Sequence, residues 1–69
     1  MMRVTVASPP DREYLVSEVF FEGDQWAEVN QESGSLTVEL YPRRDGQPWR
    51  LDFEEAVAAL LEAKQRLGG

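Results

Sequence analysis

The sequence predicts an α+β fold, with an antiparallel three- to four-stranded β-meander followed by one C-terminal helix packed on one face. Two observations carry this prediction. Up to residue 41, apolar and polar residues alternate in short runs separated by turn residues, which is typical of half-buried strands. From residue 53 onward, apolar residues recur at helical spacing. The predicted single domain is 1–69, with strands at about 2–7, 14–22, 26–32 and 35–41 and a helix at about 53–67.

The first strand is predicted from the alternation between residues 2 and 7, where Val4 and Val6 share one side. Pro9 and Pro10 end it, because proline has no N–H to donate to a neighbouring strand. The pattern leaves open whether this strand pairs with the second strand or with another edge of the sheet.

The first hairpin is predicted to have a three-residue loop, 23–25. A two-residue turn at Gly23 and Asp24 would mix apolar and polar residues on each face, whereas the odd loop keeps the faces consistent. The predicted pairs are Phe21 with Ala27, Val19 with Val29, Phe20 with Glu28, and Glu18 with Asn30.

The second hairpin is predicted from a two-residue loop at Ser33 and Gly34. This loop gives the sheet one apolar side and one polar or aromatic side, as a half-buried antiparallel sheet requires. The predicted pairs are Val29 with Val38, Ala27 with Leu40, Glu28 with Glu39, and Trp26 with Tyr41.

The helix has recognisable ends as well as apolar spacing. Asp52 suits the N-cap, Glu55 three residues later completes a capping box, and Gly68 ends the helix. Its apolar stripe, interrupted by Lys64, consists of Phe53, Ala56, Val57, Leu60, Leu61 and Leu67. The strand residues expected to pack against this stripe are Val4, Val6, Leu15, Val19, Phe21, Ala27, Val29, Leu36, Val38 and Leu40.

The negative charge is concentrated in the strands. The formal net charge of the chain is −6, yet residues 11–39 carry eight acidic residues and a single base, Arg12, for a net charge of −7. Residues 40–69 carry five acids and five bases and are neutral. Direct nucleic-acid binding is therefore disfavoured.

The candidate site is the sheet face that the single helix leaves uncovered. The predicted pairing puts carboxylates and aromatic side chains there together, and the pair of Glu28 and Glu39 brings like charges opposite each other at a cost of roughly 0.2–1 kcal/mol. One interpretation is a solvated sheet face. The other is a binding surface for a basic protein, and less favoured alternatives are a carboxylate metal site or a glycosidase-like acid pair. The predicted partner-binding residues are Glu18, Phe20, Trp26, Glu28, Glu39 and Tyr41.

Composition argues against most enzyme chemistry. The chain has no Cys and no His, and Lys64 is its only lysine, so no thiol, imidazole or lysine-centred nucleophile set can be assembled. No phosphate-binding glycine motif occurs, and the arginines of residues 43–50 are more consistent with local ion pairs. No stretch approaches the ~20 apolar residues of a membrane span. We expect no enzymatic activity, no cofactor, no membrane contact and a cytoplasmic location.

One aromatic residue and the C-terminal pair of glycines have ordinary structural interpretations. Trp49, just before the helix, is expected to close one end of the core. The terminal Gly68-Gly69 resembles the tail of ubiquitin-like modifiers, but there the tail follows a strand, whereas here it follows a helix.

The segment VFFEGDQWAEV (residues 19–29), with Tyr41-Pro42 and the helix that begins at Phe53, resembles short bacterial proteins of uncharacterised function. In size, acidity and layout the chain is also similar to toxin-immunity proteins, and acidic DNA-mimicking inhibitors share its size and charge. The acidic face predicts a non-enzymatic acidic protein-binding module that engages a basic protein surface, and the resemblance favours an immunity- or antitoxin-like inhibitor. The alternatives are a homo-oligomeric structural module and a DNA mimic. The expected state is a monomer or an edge-paired dimer.

Overall fold

A computed structural model describes residues 1–68; Gly69, the last residue of the Gly-Gly tail, lies outside the described residues. Four antiparallel strands form one open sheet in the order β1-β2-β3-β4, and one helix packs against it, which confirms the predicted fold class. The elements are β1 (Met2–Ala7), β2 (Val16–Phe21), β3 (Asp24–Asn30), β4 (Thr37–Leu40) and α1 (Phe53–Arg66).

The strand pairing settles one question that the sequence left open and confirms one prediction. β1 pairs with β2 along its whole length, from Met2 opposite Phe21 to Ala7 opposite Val16. The pairing of β3 with β4 is confirmed, with Ala27 opposite Leu40, Glu28 opposite Glu39 and Val29 opposite Val38.

The predicted three-residue loop of the first hairpin is wrong. The turn consists of two residues, Glu22 and Gly23, with φ of 53° and 86°. Such a turn matches the twist of a hairpin, because both central residues have positive φ. The extra residue lies inside β3 as a β-bulge, so Phe20 lies opposite Gln25 but Val19 lies opposite Ala27. As a result the pairs of Glu18 and Val19 shift by two residues, so that Glu18 lies opposite Glu28 rather than Asn30, and the pairs of Phe20 and Phe21 shift by three.

The bulge also corrects the position of Trp26. On both sides of the bulge, the side chains of β3 lie on the same face as those of their partners on β2. Trp26 is the additional residue of β3 at the bulge. Its side chain is only 5% exposed and packs in the core cluster that contains Val19 and Ala27. The prediction that Trp26 lies on the uncovered face is therefore wrong, because it assumed uninterrupted alternation.

The helix lies over β1 and β2, touches β3 at a few positions and does not contact β4. Asp52 caps it as predicted, since its carboxylate accepts the N–H of Glu55 at 3.0 Å. The side of α1 that meets the sheet is formed by Ala59 and Ala63, whose small size allows close approach. The hydroxyl of Ser17 donates to the carbonyl of Ala63 at 2.7 Å and satisfies an acceptor in the last turn.

This helix position divides the predicted core. Val4, Val19, Ala27 and Val29 are buried, and Phe21 packs against them. The remaining predicted members are exposed. Those at β4 are exposed because α1 does not extend over that strand, and Leu15 is exposed because β2 begins after it rather than before it. These exposed residues are Val6 (40%), Leu15 (54%), Leu36 (43%), Val38 (45%) and Leu40 (71%).

Candidate functional site

The sheet face opposite α1, here called the outer face, is crossed by the loop that joins β1 to β2. Arg12 in this loop places its guanidinium 3.1 Å from Glu28 and 3.0 Å from Glu39. The like-charge pair predicted from the sequence therefore exists, and the positive charge between its members is supplied by the chain itself. We call Arg12, Glu28, Asn30, Glu39 and Tyr41 the Arg12 cluster.

Glu28 is the buried centre of the Arg12 cluster, with 4% of its surface exposed. Besides the guanidinium, its carboxylate accepts the hydroxyl of Tyr41 at 2.9 Å and the side-chain amide of Asn30 at 2.8 Å. The same amide nitrogen donates to Glu39. A buried charge with a cation and two donors is the arrangement that makes burial tolerable.

The cluster shifts the pKa of two of its members. Burial lowers the pKa of Arg12, but the carboxylates of Glu28 and Glu39 outweigh burial and the pKa of Arg12 is raised overall. Burial, then the hydrogen bond and charge of Glu28, raise the pKa of Tyr41. At neutral pH Arg12 is therefore charged and Tyr41 is a neutral donor, which is the combination that Glu28 requires.

A second carboxylate holds the β1–β2 loop against the sheet. Glu32 accepts the backbone N–H groups of Glu13 and Tyr14, each at 3.0 Å. These hydrogen bonds lower the pKa of Glu32. An open polar cleft lies beside Glu32. The Glu32 carboxylate, which is the main hydrogen-bond acceptor there, already accepts hydrogen bonds from the chain itself.

The structure separates the six predicted partner-binding residues. Glu28, Glu39 and Tyr41 belong to the Arg12 cluster, whereas Trp26 lies in the core. Two more are half-buried: Phe20 lies under the guanidinium of Arg3, 4.8 Å from the ring centroid, and Glu18 lies opposite Glu28. That this face binds a basic protein stays a prediction. Much of its charge is engaged internally, and the lone base among residues 11–39 was the sequence signal for that.

A different surface carries six of the ten exposed large apolar side chains among the described residues. Val38 and Leu40 on β4, and Leu36 just before it, alternate onto the helix-facing side of the sheet, where α1 does not reach. On α1, a stripe with spacing of four residues is also exposed. We call these six residues the apolar lane: Leu36 (43%), Val38 (45%), Leu40 (71%), Phe53 (74%), Val57 (37%) and Leu61 (54%).

The exposed flank of α1 and the uncovered residues of the sheet border one common space. The flank of α1 that contains Glu55 and Glu62 lies beside Met2 and Val4, and therefore points toward the β1 edge. Phe53, Val57 and Leu61 occupy the opposite flank, because each helical residue turns by about 100°. That flank points toward β3 and β4, so the helix forms one wall of the lane and the bare sheet forms its floor. The sequence predicts that these two surfaces pack against each other, which the offset of the helix prevents.

The apolar lane offers contact area rather than reactive groups. Among residues 1–68, no group of three or more acidic side chains is placed to hold a metal ion. No helix in this part of the chain is long and apolar enough to cross a membrane.

Comparisons with models of protein families, with curated proteins and with solved structures find no match. The resemblance to immunity proteins therefore stays a prediction.

Proposed function

We propose that the protein is a non-enzymatic protein-binding module whose apolar lane receives an amphipathic helix of another polypeptide chain. The observation that carries the proposal is the exposure of six large apolar side chains along one surface, between 37% and 74% each. Together they expose on the order of 600 Å² of apolar surface, at the upper end of the ~300–600 Å² of the largest patch on a typical monomer.

The dimensions of the apolar lane favour a helix. Neighbouring strands lie ~4.8 Å apart, so four strands span roughly 14 Å between the outer axes. Helices pack with their axes ~8–10 Å apart, so a four-stranded sheet accommodates two helices side by side. This chain supplies one helix, over β1 and β2. The helix-facing residues of β3, Ala27 and Val29, are already buried, so the uncovered strand is β4, and a second helix would lie between β4 and the exposed flank of α1.

The amphipathic pattern of such a helix matches the spacing of the floor. Alternate residues of a strand are ~6.6–6.8 Å apart, and residues four apart on a helix are ~6 Å apart. A helix that presents apolar residues at i, i+4 and i+8 can therefore meet Leu36, Val38 and Leu40 in turn. An immunity- or antitoxin-like inhibitor would use such a surface to cover its target. That role stays a prediction. The cytoplasmic location, with which the absence of Cys is consistent, also stays a prediction.

An NMR titration tests the proposal with the full-length protein and a synthetic amphipathic helical peptide. The peptide carries leucines at i, i+4 and i+8, and a scrambled peptide of the same composition serves as control. We expect shifts of the methyl signals of the apolar lane with the patterned peptide only. Shifts confined to the outer face, or no shifts at millimolar peptide in a sample of monomeric mass, would contradict the proposal.

A matched pair of variants assigns the surface. Val38→Asp introduces a charge into the lane and should abolish the shifts, whereas Thr37→Asp places the same charge on the other face of the same strand and should retain them. Both variants are checked for the fold by circular dichroism. Equal binding by both would show that the lane is not the site.

A further inference from the structure

We infer that the helix which fills the apolar lane is α1 of a second copy of this chain, so that the protein forms a twofold dimer. This inference rests on the proposed function and names the partner of the same surface. It is carried by the width of the apolar side of α1, by the complementary shape of the two halves, and by the location of the acids.

The apolar side of α1 is wider than its own sheet requires. Ala59 and Ala63 face β1 and β2, yet apolar residues continue around the helix through Leu60 to Leu61. From Ala59 to Leu61 the helix turns by ~200°, whereas packing against one surface uses a stripe of ~100° or somewhat more. The second half of this arc, centred on Val57, has no partner within the described part of the chain.

Each copy therefore has what the other lacks. Each copy has an uncovered strand, β4, and directly beside it a helix with an exposed apolar flank. Rotation by 180° about an axis along the lane places α1 of each copy beside the uncovered β4 of the other. The two helices then pack flank to flank between two sheets, and the contact is self-complementary and closed. At about 600 Å² per copy it would bury ~1,200 Å², the lower end of specific interfaces.

The charge distribution permits this contact. Glu18, Glu28 and Glu39 lie on the outer face, which points away from the second copy. The stripe of α1 that lines the lane contains one charge, Lys64, whose exposed side chain can extend into solvent from the last turn. Pairing through the free edge of β4 would instead leave the lane uncovered.

Sedimentation equilibrium of the full chain tests the inference. We expect a mass of twice 7.9 kDa at tens of micromolar. Because each copy carries a net charge of −6, salt should screen the repulsion and strengthen the dimer between 50 and 500 mM NaCl. Binding of a basic partner would weaken over the same range. Leu61→Glu should return the mass to that of a monomer, whereas Ser8→Glu, which adds the same charge to the exposed β1–β2 loop away from the lane, should remain a dimer.

The outcomes separate the inference from the proposed function. A mass of 7.9 kDa up to about millimolar concentration, together with peptide shifts in the lane, overturns the dimer and leaves the helix-binding function standing. A monomer that also ignores the peptide overturns both. A dimer that Leu61→Glu leaves intact overturns the assigned interface.

Discussion

Arg12 decides how much of the acidic charge of this chain faces solvent. It is the only base among residues 11–39, and it lies between Glu28 and Glu39. Removing the cation leaves Glu28 buried and uncompensated, which is usually far more harmful than never having had the pair. The role of Arg12 is therefore to make a buried carboxylate tolerable.

A double-variant comparison tests this role. Arg12→Leu should lower the melting temperature by several degrees, because the charge of Glu28 loses its counter-ion. Arg12→Leu combined with Glu28→Gln should recover most of that loss, since the glutamine amide still meets Tyr41 and Asn30 without needing a cation. Thermal denaturation monitored by circular dichroism measures both. A double variant as unstable as the single one would contradict the role assigned to Arg12.

Glu32 makes stability depend on pH. Because its pKa is lowered in the folded protein, its contribution is fully present above the unfolded value of ~4.3 and is lost as pH falls through the lowered folded value. The difference in unfolding free energy between the natural chain and Glu32→Gln should therefore be constant from pH 7 to about 5 and shrink at lower pH. Urea unfolding at several pH values measures it, and a difference that does not change with pH would be the opposite result.

At the scale of the elements, the β2–β3 hairpin shows where alternation stops being informative. The pattern placed Val19, Ala27 and Val29 on the correct face, because a shift of two residues preserves the face. It could not distinguish a residue added to a turn from one added to a strand. The bulge therefore displaced Trp26 from the predicted site into the core, where its indole Nε1 has no hydrogen-bond partner among residues 1–68.

The turn of this hairpin carries a backbone that glutamate rarely adopts. Glu22 has φ of 53° and precedes Gly23, so Glu22→Asn creates the preferred Asn-Gly sequence for such a turn. We expect it to stabilise the fold by about 1 kcal/mol, which outweighs the exposed pair between Glu22 and the N-terminus. Urea unfolding measures the gain.

Gly23→Ala is the control for the turn. Gly23 has φ of 86° and open space around the position of a Cβ, so any loss of stability reports the backbone alone. Glu22→Asn with no gain, or Gly23→Ala with no loss, would contradict the assigned turn geometry.

At the scale of the whole molecule, the helix could be predicted but its lateral position could not. The spacing and the Asp52 cap identify α1, and its apolar stripe was expected to cover Leu36, Val38 and Leu40. Ala59 and Ala63 carry little hydrophobicity in a sequence pattern, yet their small size lets α1 settle on β1 and β2. The apolar lane results from that offset. For the same reason, the acidic outer face could be identified from the sequence as a candidate site, whereas the apolar lane could not.

The most direct test of the central claim is an isotope-filtered NOE experiment on a mixture of labelled and unlabelled full-length chain. Burial of the apolar lane by a second copy predicts intermolecular NOEs between methyl groups of β4, at Leu36 and Val38, and methyl groups of α1, at Val57 and Leu61. Intermolecular NOEs confined to the outer face, or their absence in a sample of dimeric mass, would contradict the claim.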